Sequence, residues 1–326
     1  MSKLLDNLDK RILLELECQT RVPYSIIAKR IGISKQVLGK RIERLKKEGI
    51  LLGFWTVMDY HRLGYECATL CLKLNIDPSA LASKINSLCK MSNIGWLATC
   101  YGKWDLILAI FHESFYELNE DLIKIFKIFK NNLVEYSLFE NVENYSFSFR
   151  MFFPEKTNLP TFHSGLGEKL QLSPLENRII QALSKDARGN LVDLSEKVHT
   201  SIPTIKKHIS GFIKDKIILG FRPNLSFSKL GFTWNTVSFK IDKTQENKII
   251  NYFKNCPNIT FISRCVGDFM NVDLLSERPE DFNRLINKFR TDMPHIIKSF
   301  ETSIIIETKI NFNFLPRKIK IKAAQK

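Results

Sequence analysis

Residues 8–64 read LDKRILLELECQTRVPYSIIAKRIGISKQVLGKRIERLKKEGILLGFWTVMDYHRLG, and residues 175–231 read LENRIIQALSKDARGNLVDLSEKVHTSIPTIKKHISGFIKDKIILGFRPNLSFSKLG. The second stretch is the first displaced by 167 positions. Arg11 falls on Arg178, Arg21 on Arg188, Ile42 on Ile209, Gly53-Phe54 on Gly220-Phe221 and Leu63-Gly64 on Leu230-Gly231. Further on, Cys100-Tyr101-Gly102 falls on Cys265-Val266-Gly267 at a displacement of 165. Self-similarity at a fixed period marks a repeated structural unit. The chain of 326 residues is therefore two copies of one unit, each with a helical front half and a strand-rich back half.

Apolar spacing in the first front half is helical. Leu8, Ile12, Leu13 and Leu16 form one stripe, with Asp9 near the start, where the helix dipole favours an anion. Pro23 marks a second start, with Ile26, Ile27 and Ile31 as its apolar face. Gly32 breaks the chain, and Ser34 follows as the N-cap of a third helix. The expected core face of that helix is Val37, Leu38, Ile42 and Leu45. Its expected outer face carries Lys35, Gln36, Lys40, Arg41 and Arg44. Gly49 stops the helix, and residues 50–57 read as a short strand.

Two short helices joined at a glycine turn, the second of them basic, make the helix-turn-helix pattern, and the strand after them makes a wing. A helix fits the major groove of duplex DNA. Its first turn reaches base edges, and flanking cations meet phosphates. Double-stranded DNA is therefore the expected partner. Lys35 and Gln36 are the candidates for base contacts, with Ser34 as cap; Lys35, Lys40, Arg44, Lys46 and Lys47 are the candidates for phosphate contacts. Arg41 has two readings, a DNA contact or an internal anchor of the helix. In the second copy the corresponding helix follows Ser201 and carries Pro203, Thr204, Lys206, Lys207 and His208. There Arg41 becomes His208, Arg44 becomes Gly211 and Gly32 becomes His199, so weaker binding or a different target sequence is expected.

Charge follows the same division. The chain carries 49 Lys and Arg against 34 Asp and Glu, a net charge of +15. Residues 1–60, 173–231 and 316–326 each carry +5, while residues 61–153 carry −1 and 232–315 carry +1. Such segregation places a polyanion-binding part beside a neutral assembly or sensing part. At 44% hydrophobic and 25% charged, the composition excludes disordered and collagen-like classes. No apolar run is long enough to span a membrane, and the charged start lacks a signal-peptide core. Seven cysteines without a C-x-x-C pair read as reduced thiols of a cytoplasmic protein. The six histidines are scattered, and no catalytic dyad, phosphate loop or metal-ligand spacing stands out, so no cofactor is expected.

The back halves alternate in type. Residues 66–76 favour a strand, and 78–90 a helix through Leu81, Ile85 and Leu88. Residues 94–101 and 104–111 read as a hairpin at Gly102-Lys103, and 115–130 as a helix. Residues 133–153 read as a long strand with Tyr145, Phe147 and Phe149 alternating. The order β-α-β-β-α-β is ferredoxin-like. Such a sheet leaves one face uncovered. The aromatic last strands (Phe147, Phe149 and Phe152; Phe312 and Phe314) suggest that the two sheets pack face to face, although the same residues also suit an ordinary core. The expected fold class is α+β, with two winged helix-turn-helix domains alternating with two ferredoxin-like domains. The expected boundaries are 1–60, 61–153, a linker over 154–172 with two prolines and two glycines, 173–231, 232–315 and a basic tail over 316–326. The tail reads equally as an added phosphate contact or a solubilising end.

These residues together resemble the Lrp/AsnC family, the feast/famine regulators of bacteria and archaea. The resemblance is carried by Leu8-Asp9-x-x-Ile12, Arg21, Ala28, Gly32-Ile33-Ser34, Arg41-Ile42-x-x-Leu45, Gly49-Ile50, Gly53, Leu63-Gly64 and Gly102-x-x-Asp105 with Leu106, and it covers nearly the whole chain twice. It implies a transcriptional regulator rather than an enzyme, pairing and assembling further through its sensing domains. It also implies an amino-acid-like effector bound between those domains near the Gly-x-x-Asp hairpin, which places Thr99, Gly102 and Asp105 at a pocket. In the second copy only Gly267 holds, and Met270 stands in the place of Asp105. Asp105 reads equally as a carboxylate capping its own hairpin. The competing reading is an enzyme, because siroheme decarboxylases are similar to this family. They would need histidine and arginine on the sensing-domain strands. Residues 94–111 contain neither, and 259–275 contain only Arg264.

Overall fold

The computed structural model describes residues 5–18, 20–152 and 159–310. The basic tail, Phe312, Phe314 and residues 154–158 of the expected linker lie outside the described residues. The first front half holds α1 (Asn7–Cys18), α2 (Tyr24–Ile31), α3 (Lys35–Lys47) and β1 (Leu51–Met58). The first back half follows as β2 (Glu66–Leu74), α4 (Pro78–Leu88), β3 (Ile94–Gly102), β4 (Leu106–His112), α5 (Phe115–Phe129) and β5 (Leu133–Phe147). A short strand, β6 (Thr161–Ser164), then hydrogen-bonds to the end of β5 from within the expected linker, which is therefore not free of structure. The second copy holds α6 (Pro174–Lys185), α7 (Leu191–Val198), α8 (Ile202–Lys214) and β7 (Ile218–Leu225). Its back half is β8 (Thr233–Ile241), α9 (Glu246–Lys254), β9 (Ile259–Cys265), β10 (Phe269–Ser276), α10 (Pro279–Asp292) and β11 (Ile297–Ile310). No helix among the described residues is long and apolar enough to cross a membrane.

Each back half keeps the ferredoxin-like strand order, β5-β2-β4-β3 in one and β11-β8-β10-β9 in the other. Neither is a free-standing open sheet, which corrects the expectation of two ferredoxin-like domains packed only face to face. β3 pairs with β11 and β5 pairs with β9, both antiparallel, so eight strands close into one barrel. Closure follows from strand length. β5 has 15 residues; its first part pairs with β2, and its later part reaches β9 across the seam. An edge strand that overhangs its own sheet exposes unpaired amides and carbonyls, and the other copy's edge satisfies them.

Alternation along each strand separates two faces. Leu70 and Leu72 on β2 pack under α4 and α5, and Val237, Phe239, Val272 and Leu274 on β8 and β10 pack under α9 and α10. The opposite positions, including Thr69, Thr236, Ser238, Asn271 and Asp273, face the barrel interior. The interior face thus mixes polar residues with aromatic ones, among them Trp96, Trp104, Trp234 and Phe261. Of the last-strand phenylalanines expected there, Phe149 reaches this lining. Phe147 joins the core of the second back half, while Phe149 and Phe152 lie past the end of β5 and pack edge-on against Phe227 and Phe232 beneath the first front half.

The two wings pair with each other, β1 antiparallel to β7. Trp55 stands opposite Arg222, which is its own equivalent 167 positions on, and Phe54 opposite Pro223 mirrors Thr56 opposite Phe221. A pseudo-twofold axis therefore passes between Trp55 and Arg222. Helix-turn-helix units and barrel are arranged around it.

Candidate nucleic-acid interface

The first unit is held by an acidic anchor inside its own bundle. Asp9 is fully buried in the first turn of α1 and receives Arg41 at 3.1 Å and Arg44 more closely. Arg41 also binds Asp6, and this contact holds the Asp6 carboxyl at about 2. Asp6 and Asp9 in turn accept each other's backbone amides at 2.8 and 3.1 Å. Of the two readings of Arg41, the internal anchor is the one this geometry matches. Arg44 shares that carboxylate and approaches Glu48 at 3.8 Å, so two of the expected surface cations are tied inward. Lys46 is exposed and paired with Glu43 at 2.9 Å.

The rest of the outer face is open. Lys35, Gln36, Lys40 and Lys47 are exposed, and Lys35, Lys40 and Lys47 make no ion pair among the described residues. Ser34 caps α3, accepting the Val37 amide at 3.2 Å. Val37 itself is 41% exposed, and Ile26 is 45% exposed, so neither belongs to the core face expected for its helix. Val37 sits one turn into α3 between Gln36 and Lys40. There an apolar side chain can meet a thymine methyl. Helical spacing put Val37 on the core face beside Leu38, but the first bundle packs on Leu38, Ile42 and Leu45 and leaves Val37 outside. Gly32 takes a left-handed conformation at φ 73°, which turns the chain sharply from α2 to α3.

The second unit repeats the scheme with other chemistry. His208 reaches Glu176 at 3.2 Å, and these are the positions of Arg41 and Asp9. Glu176 also closes a capping box with Ser173, and its carboxyl is held below the ordinary range by Ser173 and His208 although burial opposes this. Ser201 caps α8, accepting from the Thr204 amide at 3.3 Å and meeting the Thr204 hydroxyl at 2.8 Å. Lys206 and Lys207 are exposed. His199 replaces the turn glycine yet still adopts φ 54°, so the tight turn survives the loss of glycine.

Two arginines that the sequence marks as repeat equivalents, without assigning them a contact, join the units. Arg21 donates to the carbonyls of Ala187 and Gly189, and its equivalent Arg188 donates to the carbonyl of Val22 at 2.8 Å. Arg21 lies over Phe221, and Arg188 over Tyr24 at 4.0 Å. Burial lowers both guanidinium pKa values from their ordinary level. With Lys206 they line a cleft of about 480 Å³ between the units.

The expected effector residues stand at the two barrel seams. Thr99 pairs with Glu307 and Gly102 with Ser303 across β3 and β11, and Gly102 packs so closely on the Thr302 carbonyl that no Cβ would fit. Asp105 accepts the Leu74 amide at 2.7 Å and Lys73 at 3.1 Å, which ties the hairpin to β2. Gly267, at φ 83°, turns the hairpin beside the other seam, where the Val266 amide reaches Glu140. None of the four lines the barrel interior.

Residues 5–46 match the AsnC-type helix-turn-helix domain. The HTH-type transcriptional regulator Ptr1 of Methanocaldococcus jannaschii is 31% identical over 104 residues, covering 32% of this chain and 70% of that protein. An uncharacterized HTH-type transcriptional regulator of Pyrococcus furiosus is 27% identical over 146 residues, 44% of this chain and 98% of its own length. The regulatory protein AsnC of Haemophilus influenzae is 26% identical over 121 residues, 36% of this chain and 79% of its own. Among solved structures, the siroheme decarboxylase NirDL superposes over 94% of this chain and 96% of its own, with a TM-score of 0.62 and 13% identity, a likeness of fold.

Proposed function

This chain belongs to the Lrp/AsnC family of HTH-type transcriptional regulators, and from that premise we propose that it binds duplex DNA sequence-specifically as a covalent pseudo-dimer in the cytoplasm. The observation that carries the reading is the pair of serine-capped helices, α3 and α8, placed about one pseudo-twofold axis with exposed lysines on each. Ser34 and Ser201 fix the helix starts. Lys35, Gln36 and Val37 read bases; Lys40, Lys47, Lys206 and Lys207 meet phosphates, with Lys46 shared with Glu43; Thr204 faces the groove from the second helix. Arg41, Arg44 and His208 hold the reading helices on their bundles. Because the two units differ at these positions, the target is an imperfect palindrome with half-sites whole helical turns apart.

Selection from random duplex DNA with the purified full chain tests this. An enriched asymmetric motif is expected, and Gln36→Ala should change the preferred base within one half-site only. Absence of any enriched motif overturns the reading.

The family premise extends to a small effector. Thr99, Gly102, Asp105 and Gly267 stand where the two sensing halves meet, which supports them as its neighbours. Further assembly through the sensing halves is supported by the exposed apolar row Val134, Tyr136 and Leu138 on β5. The decarboxylase alternative has less support. Arg222, the buried arginine that lines the cavity from the wing strand β7, is committed to Glu17, Ser146 and Phe147 rather than free for the carboxylates of an anionic tetrapyrrole.

A further inference from the structure

The barrel encloses a cavity of about 340 Å³, lined by all eight of its strands and reaching the paired wings. An eight-stranded barrel either fills its interior with side chains or holds one small ligand. Here the interior is unlike the cores on the helix side, which are packed mainly with aliphatic residues and phenylalanines. The chain has four tryptophans, and all four line this one space: Trp55, Trp96, Trp104 and Trp234. Trp96 and Trp234 stand with ring centroids 6.2 Å apart. Trp104 is 2% exposed, and its indole Nε1 has no hydrogen-bond partner among the described residues.

Most charged side chains of this lining are paired: Arg222 with Glu17, Asp59 with Arg62 at 4.0 Å, His61 with Glu66 at 3.1 Å, and Glu301 at the rim with Lys103 at 3.7 Å. Asp273 projects from β10 on the same face as Trp234 and Thr236 of the neighbouring β8, and no cation pairs with it among the described residues. Burial raises its carboxyl to about 7, against the opposing effect of Thr236 and Trp234. A half-buried carboxylate without a cation, in a cavity also lined by indole rings, matches an ammonium ion, which gains from both the charge and the ring quadrupoles.

We propose that the barrel interior binds a small organic ammonium ion with an apolar body, its cationic end between Asp273 and the Trp96–Trp234 pair. Thr99, Gly102, Asp105 and Gly267 do not line this site, and it is independent of the DNA-binding reading. Its far end meets Trp55 and Arg222 at the centre of the wing pair, so an occupant touches the joint between the two reading units.

The test is titration of the full chain with phenethylamine and choline, followed by intrinsic tryptophan fluorescence and by calorimetry. The neutral counterparts 2-phenylethanol and 3,3-dimethylbutanol, and the anion phenylacetate, serve as controls. A saturable response to at least one ammonium probe is expected, with its neutral counterpart weaker by about tenfold or more. Asp273→Asn should weaken the ammonium probe by a similar factor, and Trp96→Phe should weaken it while leaving the fold and the circular dichroism unchanged. Equal binding of charged and neutral probes, no saturable response to either amine, or an unchanged titration in Asp273→Asn overturns the proposal. Binding of duplex DNA, measured on the same samples, reports separately on the regulator reading.

Discussion

His199 occupies a backbone conformation that glycine takes in the first copy, at φ 54° against 73° for Gly32. A side chain in this region costs about 1–3 kcal/mol. His199→Gly should therefore raise the melting temperature, with a gain of about 1 kcal/mol in a urea titration, and leave α7 and α8 intact. An unchanged or lower stability would show that His199 makes contacts worth the strain. Asp273 makes the second case. Its carboxyl rises from an ordinary value near 3.8 to about 7 in the fold, so between those pH values the folded chain holds a proton that the unfolded chain does not. Stability must then fall as pH rises through that window, and the loss is complete above it. Asp273→Asn should flatten this part of the pH profile and stabilise the chain at pH 8 by about 1–3 kcal/mol relative to the parent, measured by denaturation at both ends of the window. The residue that suits a ligand is thus one that destabilises the empty barrel.

Helix α3 carries cations of two kinds that its sequence does not distinguish. Lys40 and Lys47 reach solvent, whereas Arg41 and Arg44 turn inward to Asp9. Replacing Lys40 and Lys47 by alanine should lower affinity for all duplexes and reduce the slope of log K against log salt by about 0.9 for each phosphate that is no longer neutralised, with stability unchanged. Arg44→Ala should act the other way. It leaves the buried Asp9 with Arg41 as its remaining guanidinium, costing about 1–2 kcal/mol of stability, with little change in salt slope. Parallel filter-binding and melting measurements separate the two classes. In α8 the equivalent anchor is a histidine and a glutamate, His208 with Glu176. The repeat shows His208 in the place of Arg41, but the shared partner position became evident only when the helices were packed.

Duplication changes what the molecule can place at its axis. In a symmetric pair of separate chains, a residue on the twofold faces its own copy. Here Trp55 faces Arg222, and Arg222, 3% exposed, runs from β7 into Glu17 of α1 at 2.8 Å and to Ser146 and Phe147 of β5. It lies over Phe149 at 4.6 Å. One side chain thus ties the second wing to the first bundle and to the barrel. Burial pushes the Glu17 carboxyl up while Arg222 draws it down, and such a pair is costly to break from one side. Arg222→Met should destabilise the chain by about 3–5 kcal/mol. Adding Glu17→Leu should recover much of that loss, because no buried charge is then left alone. A double variant as unstable as the single one would show that the guanidinium contributes mainly through Ser146, Phe147 and the rings.

The two-copy plan, the serine-capped basic helices and the β-α-β-β-α-β order were all legible along the chain. Each rests on local rules: periodicity, capping and turn chemistry act between residues a few positions apart. The seams of the barrel, the inward turn of Arg41 and Arg44, the exposure of Val37 and the gathering of four tryptophans and Asp273 around one cavity were decided by the tertiary structure alone. Those features depend on which strand edges overhang and which faces are left to meet, across separations such as the 205 positions between Glu17 and Arg222. Alternation told which side chains share a face of each strand, but only closure of the sheet decided that one of those faces would enclose a cavity.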